Sequence, residues 1–309
     1  MEKSAPREAL GNAFVELGKE KSDLIILDAD IVPSAKLEKF KELFPDQFIE
    51  VGIAEQNMIG MAAGLSTVGL VPFAITFCVF ATRRVCDQIA VSVAYPRLNV
   101  TIVGNYPGLF VGKNGATHQA LEDVAIMRAI PNMAVVEPLD AIETREVVKF
   151  AYQYDSPLYL RIGRDPITSF LPEDYQFKLG KSYTLREGKD ITIISAGYLM
   201  QEVMEVASLL SKEGIDTRVV NMSSIKPIDK ETIIKAAKET NRIVTVENHN
   251  ILGGLGSAVA EVVTEEYPVK IKRIGIRDVF GKSGSNDEMK KKFKLTTNDI
   301  LADIKTFLK

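Results

Sequence analysis

The stretch "EVGIAEQNMIGMAAGLSTVGLVPFAITF", residues 50–77, places a helix pattern directly before a strand pattern. Its first half carries small and apolar residues at helical spacing, and "VPFAITF" at 71–77 has the composition of a β-strand. The charge-free run from Met58 to Thr82 is long enough to span a bilayer, but three glycines and Pro72 interrupt it. We therefore expect a helix, a turn and a strand in the core of an α/β domain.

The same alternation continues along the chain. Strand patterns occur at 24–30, 48–52, 71–77, 99–104, 133–138 and 157–163, with helical patterns near 55–68, 80–94, 119–128 and 140–153. After a stretch rich in Pro, Gly and charge, strand patterns at 191–197, 217–224, 242–248 and 270–276 alternate with helical patterns near 199–213, 229–239, 255–266 and after 285. This order predicts an α/β fold with two doubly wound, largely parallel sheets. We assign residues 1–170 to the first domain, 171–188 to a linker and 189–309 to the second domain.

The composition argues against several classes of function. Charged residues make up 26% of the 309 residues and the net charge is −3, so no general field attracts nucleic acid or an anionic membrane. Cys78 and Cys86 have no Cys or His neighbours at metal spacing and are typical of buried free thiols in a reducing compartment. Residues 1–20 alternate charged and apolar residues, unlike a secretory signal. We expect a cytoplasmic protein without nucleic-acid or membrane partners.

Glu55 is the first candidate functional residue, because it is the only charged residue between positions 51 and 82. A carboxylate among apolar groups must find a partner or keep its proton, since desolvation penalises its charged form. Phe77 and Phe80 lie three residues apart at the next strand-to-helix turn. Together the three side chains suit a flat heteroaromatic ring, which the phenyl faces would stack on while the acid binds a ring nitrogen. Ordinary core packing is the alternative for the two aromatic residues.

The ligand crevice of an open parallel sheet lies outside the carboxyl ends of its strands. The loop "GNYPGLFVGKNGATHQALED" at 104–123 is long for such a unit, which points to function, and it carries His118, a residue type suited to proton transfer near neutrality. No GxxxxGK[ST] loop, GxSxG elbow or GxGxxG after the first strand occurs. The strand ends of the first domain collect Asp28, Asp30, Ser34, Glu55, Phe77, Phe80, residues 105–118, Arg161 and Arg164.

Four segments together resemble one known family: "VGIAEQNMIGMAAGL" at 51–65, "ITFCVF" at 75–80, "VGKNGATHQALEDVAIMRAIPNM" at 111–133 and "LYLRIGR" at 158–164. They resemble the pyrimidine-binding domain of transketolase, and the second domain resembles the transketolase C-terminal domain. The resemblance implies thiamine diphosphate as the cofactor, with its pyrimidine end held by this chain.

The resemblance also implies a role for single residues. It matches Glu55 to the catalytic acid that hydrogen-bonds the aminopyrimidine, and Phe77 and Phe80 to the aromatic stack on that ring. Asp30 matches an acid near the thiazolium, and His118 matches a catalytic histidine that contacts the reacting hydroxyls of the substrate. All five residues lie in motifs of the first domain.

Further positions match substrate contacts. Ser34 and Arg164 correspond to residues that hold a sugar phosphate, a task suited to the donor fork of arginine. Tyr106 and Asn114 stand where transketolases usually have a histidine and an acid, so we expect an altered sugar specificity. Arg83 or Arg84 is expected to compensate for the missing cation, because deoxyxylulose-phosphate synthase has an arginine before a similar Asp-Gln pair, which is Asp87-Gln88 in this sequence. We take Arg84 as the substrate-binding candidate.

Transketolases bind the diphosphate and its metal ion through a glycine-aspartate-glycine motif in an N-terminal domain, and neither is present in this sequence. The chain therefore resembles the C-terminal half of a split enzyme. This implies a separate N-terminal subunit that holds Mg2+ or Ca2+, no metal site in this chain, sugar or sugar-phosphate substrates, and a dimer of heterodimers. A deoxyxylulose-phosphate synthase-like subunit, a 2-oxo acid dehydrogenase beta-like subunit and a non-catalytic regulatory subunit remain as alternatives.

Overall fold

The computed structural model describes residues 3–309, so the first two residues of the expected 1–170 domain lie outside the described range. The strands are β1 (Lys3–Ser4), β2 (Leu24–Asp28), β3 (Phe48–Glu50), β4 (Val71–Phe77), β5 (Thr101–Asn105), β6 (Ala134–Val136), β7 (Leu158–Ile162), β8 (Ile167–Thr168), β9 (Tyr183–Arg186), β10 (Ile191–Ser195), β11 (Thr217–Asn221), β12 (Ser224–Lys226), β13 (Arg242–Asn250) and β14 (Lys270–Ile276). The helices are α1 (Pro6–Gly18), α2 (Val32–Ala35), α3 (Glu38–Leu43), α4 (Glu55–Thr67), α5 (Cys86–Gln88), α6 (Asp123–Ala129), α7 (Ala141–Gln153), α8 (Met200–Lys212), α9 (Lys230–Thr240), α10 (Leu255–Glu266), α11 (Asn286–Lys292) and α12 (Thr297–Leu308).

The first sheet has the strand order β12-β6-β7-β5-β4-β2-β3. All its neighbours pair in parallel except β12, which pairs antiparallel with β6 at the edge. Every residue of β2, β5 and β7 is buried, as expected for strands covered by helices on both faces. The carboxyl ends of β2, β4, β5 and β7 therefore meet at one edge, which positions the candidate site.

The second sheet has the order β14-β13-β10-β11-β9, with β9 antiparallel at its edge. The two sheets confirm the predicted α/β class with two doubly wound, largely parallel sheets. The halves of the chain are packed against each other, since one cluster of buried apolar side chains includes Met127 of α6 and Leu255 of α10. The strand β12, which follows β11 in the second half, completes the sheet of the first half.

Several elements differ from the sequence prediction. The helix expected at 119–128 begins at Asp123, because Gln119 is extended and its buried amide donates to the Leu109 carbonyl at 3.1 Å. The segment expected as a helix at 80–94 starts with a 3-10 turn at Arg83–Val85 and ends as a π-helix at Ile89–Ala94. Sequence analysis did not find the short helices α2 and α3, the short strands β1, β8 and β12, or the edge strand β9, which lies within 171–188.

Two findings bear on the apolar run and the cysteines. Within residues 3–309, no helix has the length and apolarity needed to cross a membrane. The run predicted as helix, turn and strand forms α4 and β4, separated by a turn at Gly69 with φ of 88°. Cys78 is buried and Cys86 is half-buried, and both are free thiols.

Candidate active site

Glu55 lies in the first turn of α4 and is only 3% exposed. Its Oε1 accepts a hydrogen bond from Nη1 of Arg84 at 2.5 Å, so the buried acid has found a charged partner. The guanidinium of Arg84 also lies over the Phe80 ring, with Cζ 4.0 Å from the ring centroid. One planar cation therefore stacks on Phe80 and hydrogen-bonds Glu55 at the same time.

The aromatic side chains form a connected wall beside this pair. The rings of Phe77 and Phe80 meet edge to face with centroids 6.3 Å apart, and the imidazole of His118 packs at 5.9 Å from Phe77 and 5.2 Å from Phe80. Phe77 also contacts Tyr106, at 5.1 Å between centroids. The chain reaches this geometry because β4 ends at Phe77 and the next residues turn immediately, with the Phe80 amide donating to the Phe77 carbonyl.

An open pocket of about 690 Å³ lies against Phe80 and His118. It is lined by Val79, Phe80, Arg83, Arg84, Ala116, Thr117, His118 and Phe280. His118 ends a short 3-10 turn, and its Nδ1 lies 3.0 Å from the Thr117 hydroxyl. Phe280 belongs to the second domain and is 79% exposed; sequence analysis missed it because an isolated aromatic residue after β14 carries no motif.

A second group of polar side chains surrounds Tyr106. The Tyr106 hydroxyl accepts a hydrogen bond from Nη1 of Arg7 at 2.6 Å and donates to the Ser34 carbonyl at 3.3 Å. The Cζ atoms of Arg7 and Arg164 lie 5.6 Å and 5.0 Å from the Tyr106 ring centroid. The structure thus brings the predicted residues Ser34, Tyr106 and Arg164 together and adds Arg7, which sequence analysis missed.

Two acids lie at the carboxyl end of β2, Asp28 as its last residue and Asp30 two residues further along, and they differ in environment. Asp30 is exposed, has a φ of 59°, and its amide donates to Oε1 of Glu50 at 3.0 Å. Asp28 is fully buried and accepts a hydrogen bond from the Ile31 amide at 2.7 Å. Burial raises the pKa of Asp28 to about 7, although the Ile31 hydrogen bond opposes the shift.

Arg161, expected at the crevice together with Arg164, is instead buried, with 1% of its surface exposed. It binds both carboxylate oxygens of Asp123, at 2.8 and 3.1 Å, and Oε2 of Glu137 at 2.7 Å. Burial alone would raise the pKa of Asp123, but the Arg161 charge outweighs it and holds that pKa below the usual value. Arg161 also donates to the Asn248 carbonyl at 2.9 Å, so this ion-pair network joins the two domains.

Nearby acid–histidine contacts extend the network into the second domain. His249 lies 3.8 Å from Asp123 and 3.9 Å from Glu247. Burial lowers the pKa of His249 to about 4. Burial also raises the pKa of Glu247 to about 8, although a hydrogen bond from the Gly256 amide acts in the opposite direction. Among residues 3–309, no three His, Cys, Asp or Glu side chains are arranged to hold a metal ion.

Comparison with known proteins gives this geometry its context. The protein-family model of the transketolase pyrimidine-binding domain matches residues 2–168 of the sequence. The family model of the transketolase C-terminal domain matches residues 180–300. The chain belongs to the transketolase family. This confirms the resemblance on which the sequence prediction rests.

Individual members of the transketolase family are similar along nearly the whole chain. A 6-deoxy-6-sulfo-D-fructose transketolase subunit from Clostridium sp. (strain MSTE9) is 42% identical over 295 residues, which cover 96% of this chain and 92% of that protein. One of the subunits of an apulose-4-phosphate transketolase from Phocaeicola vulgatus is 39% identical over 306 residues, covering 99% and 98%. A solved structure described as split gene transketolase, inactive beta4 tetramer, is 46% identical with a TM-score of 0.92 and covers 98% of both chains. The protein is thus a transferase component of a two-subunit transketolase-type enzyme.

The residues present fit the cofactor that the family implies. The Arg84 guanidinium is flat, lies over the Phe80 ring and hydrogen-bonds Glu55, so it occupies the place where an aminopyrimidine would make the same two contacts. The guanidinium donates to the Glu55 carboxylate, whereas a pyrimidine ring nitrogen would accept a hydrogen bond from the protonated acid. Phe77 and His118 extend the apolar surface on which such a ring could lie. A planar ring with a hydrogen-bonding nitrogen therefore fits the place that the Arg84 guanidinium occupies.

Proposed function

We propose that this chain is the C-terminal subunit of a thiamine diphosphate-dependent transketolase, which transfers a two-carbon ketol unit from a ketose to an aldose. The observation that carries the proposal is the buried Glu55 beside Phe80, whose joint occupant in this structure is a planar cation. Family membership supports the same chemistry. The cofactor, when bound, supplies the carbon nucleophile that carries the two-carbon unit.

In this proposal the residues of the chain bind and orient the cofactor and exchange protons with the substrate. Glu55 holds the hydrogen bond to the pyrimidine nitrogen, and its burial keeps water from competing for that bond. Phe77 and Phe80 fix the plane of the ring by stacking. His118, whose imidazole faces the same pocket, binds and exchanges the proton of a substrate hydroxyl. Asp30, two residues after the end of β2, provides negative charge near the thiazolium.

The group around Tyr106 is the proposed subsite for the anionic end of the sugar. The guanidinium groups of Arg7 and Arg164 lie close to the Tyr106 ring and supply positive charge. The backbone carbonyl of Ser34 accepts a hydrogen bond from the Tyr106 hydroxyl, which brings Ser34 to the same group. A phenol at 106 and an amide at Asn114, in place of a cation and an acid, support a sugar specificity different from that of ordinary transketolases. The names of two relatives specify a sulfonated and a phosphorylated sugar, so an anionic substrate suits this subsite.

A separate N-terminal subunit completes the proposed enzyme. It would hold the diphosphate end of the cofactor together with Mg2+ or Ca2+, and the complex would be a dimer of heterodimers. One observation supports this division: relatives of nearly the same length are named as subunits. Arg84 is proposed to turn from Glu55 to the substrate when the cofactor enters.

The test is reconstitution of the chain with a transketolase N-terminal subunit from the same organism, with thiamine diphosphate and magnesium. We expect ketol transfer between ketose and aldose phosphates, and a loss of about 100-fold or more in turnover for Glu55→Gln, in line with removal of an acid–base group. Glu38→Gln is the matched control, since Glu38 is an exposed acid on α3. Wild-type turnover by Glu55→Gln, or activity that requires pyruvate instead of a ketose, would contradict the proposal.

A further inference from the structure

Asn286, the first residue of α11 in the second domain, contacts two segments of the first domain that lie next to Arg164. Its Oδ1 accepts a hydrogen bond from the amide of Gly112 at 3.3 Å, and its Nδ2 donates to Oδ2 of Asp165. Gly112 lies in the loop that carries His118, and Asp165 directly follows Arg164. One amide side chain thus bridges two segments of the first domain.

Both segments contact the guanidinium of Arg164. Its Nη1 donates to the Val111 carbonyl at 2.9 Å, and its Nε lies 3.8 Å from Oδ1 of Asp165. Gly112 has a φ of 68°, and a Cβ there would come within 2.5 Å of Nη1, so only glycine lets the arginine lie this close. Arg164, the 111–112 peptide, Asn286 and Asp165 therefore form a closed ring of contacts.

The side chain of Asn286 is not required to start its helix. Ser285 caps α11, with its side chain bonded to the Glu288 amide and the Glu288 carboxylate bonded back to the Ser285 amide. The loop also has other attachments to the second domain, since Ser283 donates to the Lys113 carbonyl at 2.7 Å and Gln119 to the Lys282 carbonyl at 3.0 Å. Loss of the amide should therefore leave both the helix and the domain contact in place.

We infer that Asn286 is a positioning residue that holds Arg164 in place for the anionic end of the sugar. The inference rests on the proposed function, because it uses Arg164 as the group that binds this anion. The amide fixes Asp165 on one side of the guanidinium and the 111–112 peptide on the other. Without it, Arg164 regains side-chain freedom, which must be lost again each time a substrate binds.

The experiment compares Asn286→Ala with wild type in the enzyme reconstituted with its N-terminal subunit. The acceptors are a phosphorylated aldose and the same aldose without its phosphate. We expect KM for the phosphorylated aldose to rise about tenfold, the size of one charge-assisted hydrogen bond, with kcat within about twofold. The kcat/KM for the unphosphorylated aldose should stay at the wild-type value. Asn298→Ala, which removes an exposed asparagine in α12, is the matched control.

An exchange of partners provides the second variant. Asn286→Asp alone places two carboxylates together and should raise KM further, whereas Asn286→Asp combined with Asp165→Asn restores a donor and an acceptor and should recover much of the loss. Equal losses with both acceptors, or unchanged KM in Asn286→Ala, would overturn the assignment of Asn286. Absence of ketol transfer by the wild-type pair would instead overturn the proposed function, so the two failures are distinguishable.

Discussion

Replacement of Arg84 by methionine should tighten binding of thiamine diphosphate. In the free chain, the guanidinium must leave both Glu55 and the Phe80 ring before a pyrimidine can take their place. The cofactor therefore binds in competition with an internal ion pair, and the free energy of cofactor binding is reduced by the free energy of that pair. Methionine keeps an apolar stem against Phe80 but cannot hydrogen-bond the acid.

The magnitude follows from the exposure of the two partners. Glu55 is 3% exposed but the Arg84 side chain is 42% exposed, so solvent screens the pair and its contribution is about 0.5–1 kcal/mol. The cation–π contact at 4.0 Å adds about 0.5–1 kcal/mol at such an exposed site. The sum of about 1–2 kcal/mol corresponds to a cofactor Kd lower by about tenfold.

The assay is equilibrium dialysis or calorimetric titration of thiamine diphosphate into the reconstituted complex at fixed magnesium. Arg83→Met is the control, because Arg83 lines the same pocket but pairs with Glu122 at 2.9 Å and not with Glu55. If Arg84 also binds sugar, KM for the substrate should rise in the same variant that gains cofactor affinity. Weaker or unchanged cofactor binding by Arg84→Met would refute the reasoning.

Three further predictions concern stability. The pKa of Glu247 is raised from 4.5 to about 8, so the folded chain favours the protonated acid and wild type loses stability as pH rises through that range. In urea titrations, the free energy of unfolding of Glu247→Gln should increase relative to that of wild type from pH 5 to pH 8. A difference that stays constant with pH would contradict this. Arg161→Leu leaves buried acids unpaired and should lower the free energy of unfolding by about 3–5 kcal/mol; a loss below 1 kcal/mol would argue against the network. Gly11→Ala puts a Cβ 2.2 Å from the Lys36 carbonyl oxygen and should lower the free energy of unfolding by about 1–3 kcal/mol. Gly64→Ala, on the open side of α4, should raise the free energy of unfolding of the free chain by about 0.5–1 kcal/mol. Thermal melts of the two variants check both values.

The sequence was informative where chemistry and periodicity coincide. Glu55 stood out because an acid interrupts an apolar pattern, and the alternation of strands and helices predicted both sheets. The bounds of α4 and β4 agree closely with the prediction for the same reason, since a long periodic segment leaves little freedom.

The rest depended on contacts between distant parts of the chain. Arg7 meets Tyr106 across 99 positions, and its place in an amphipathic helix gives no sign of that contact. β9 and β12 are edge strands of four and three residues, too short to show alternation. The partner of Glu55 was likewise hidden, because Arg84 lies 29 positions further along the chain and no motif joins the two residues.

The short strand β12 has a consequence for the whole chain. It follows β11 of the second sheet, yet it closes the edge of the first sheet beside β6, where the Glu137 amide also donates to the Ser223 carbonyl at 2.8 Å. A fragment cut after the first half would expose β6 as an open edge, inviting aggregation instead of independent folding. The two halves should therefore unfold in a single cooperative transition. The pairing of β12 with β6 also opposes a hinge motion that would separate the halves to admit a sugar.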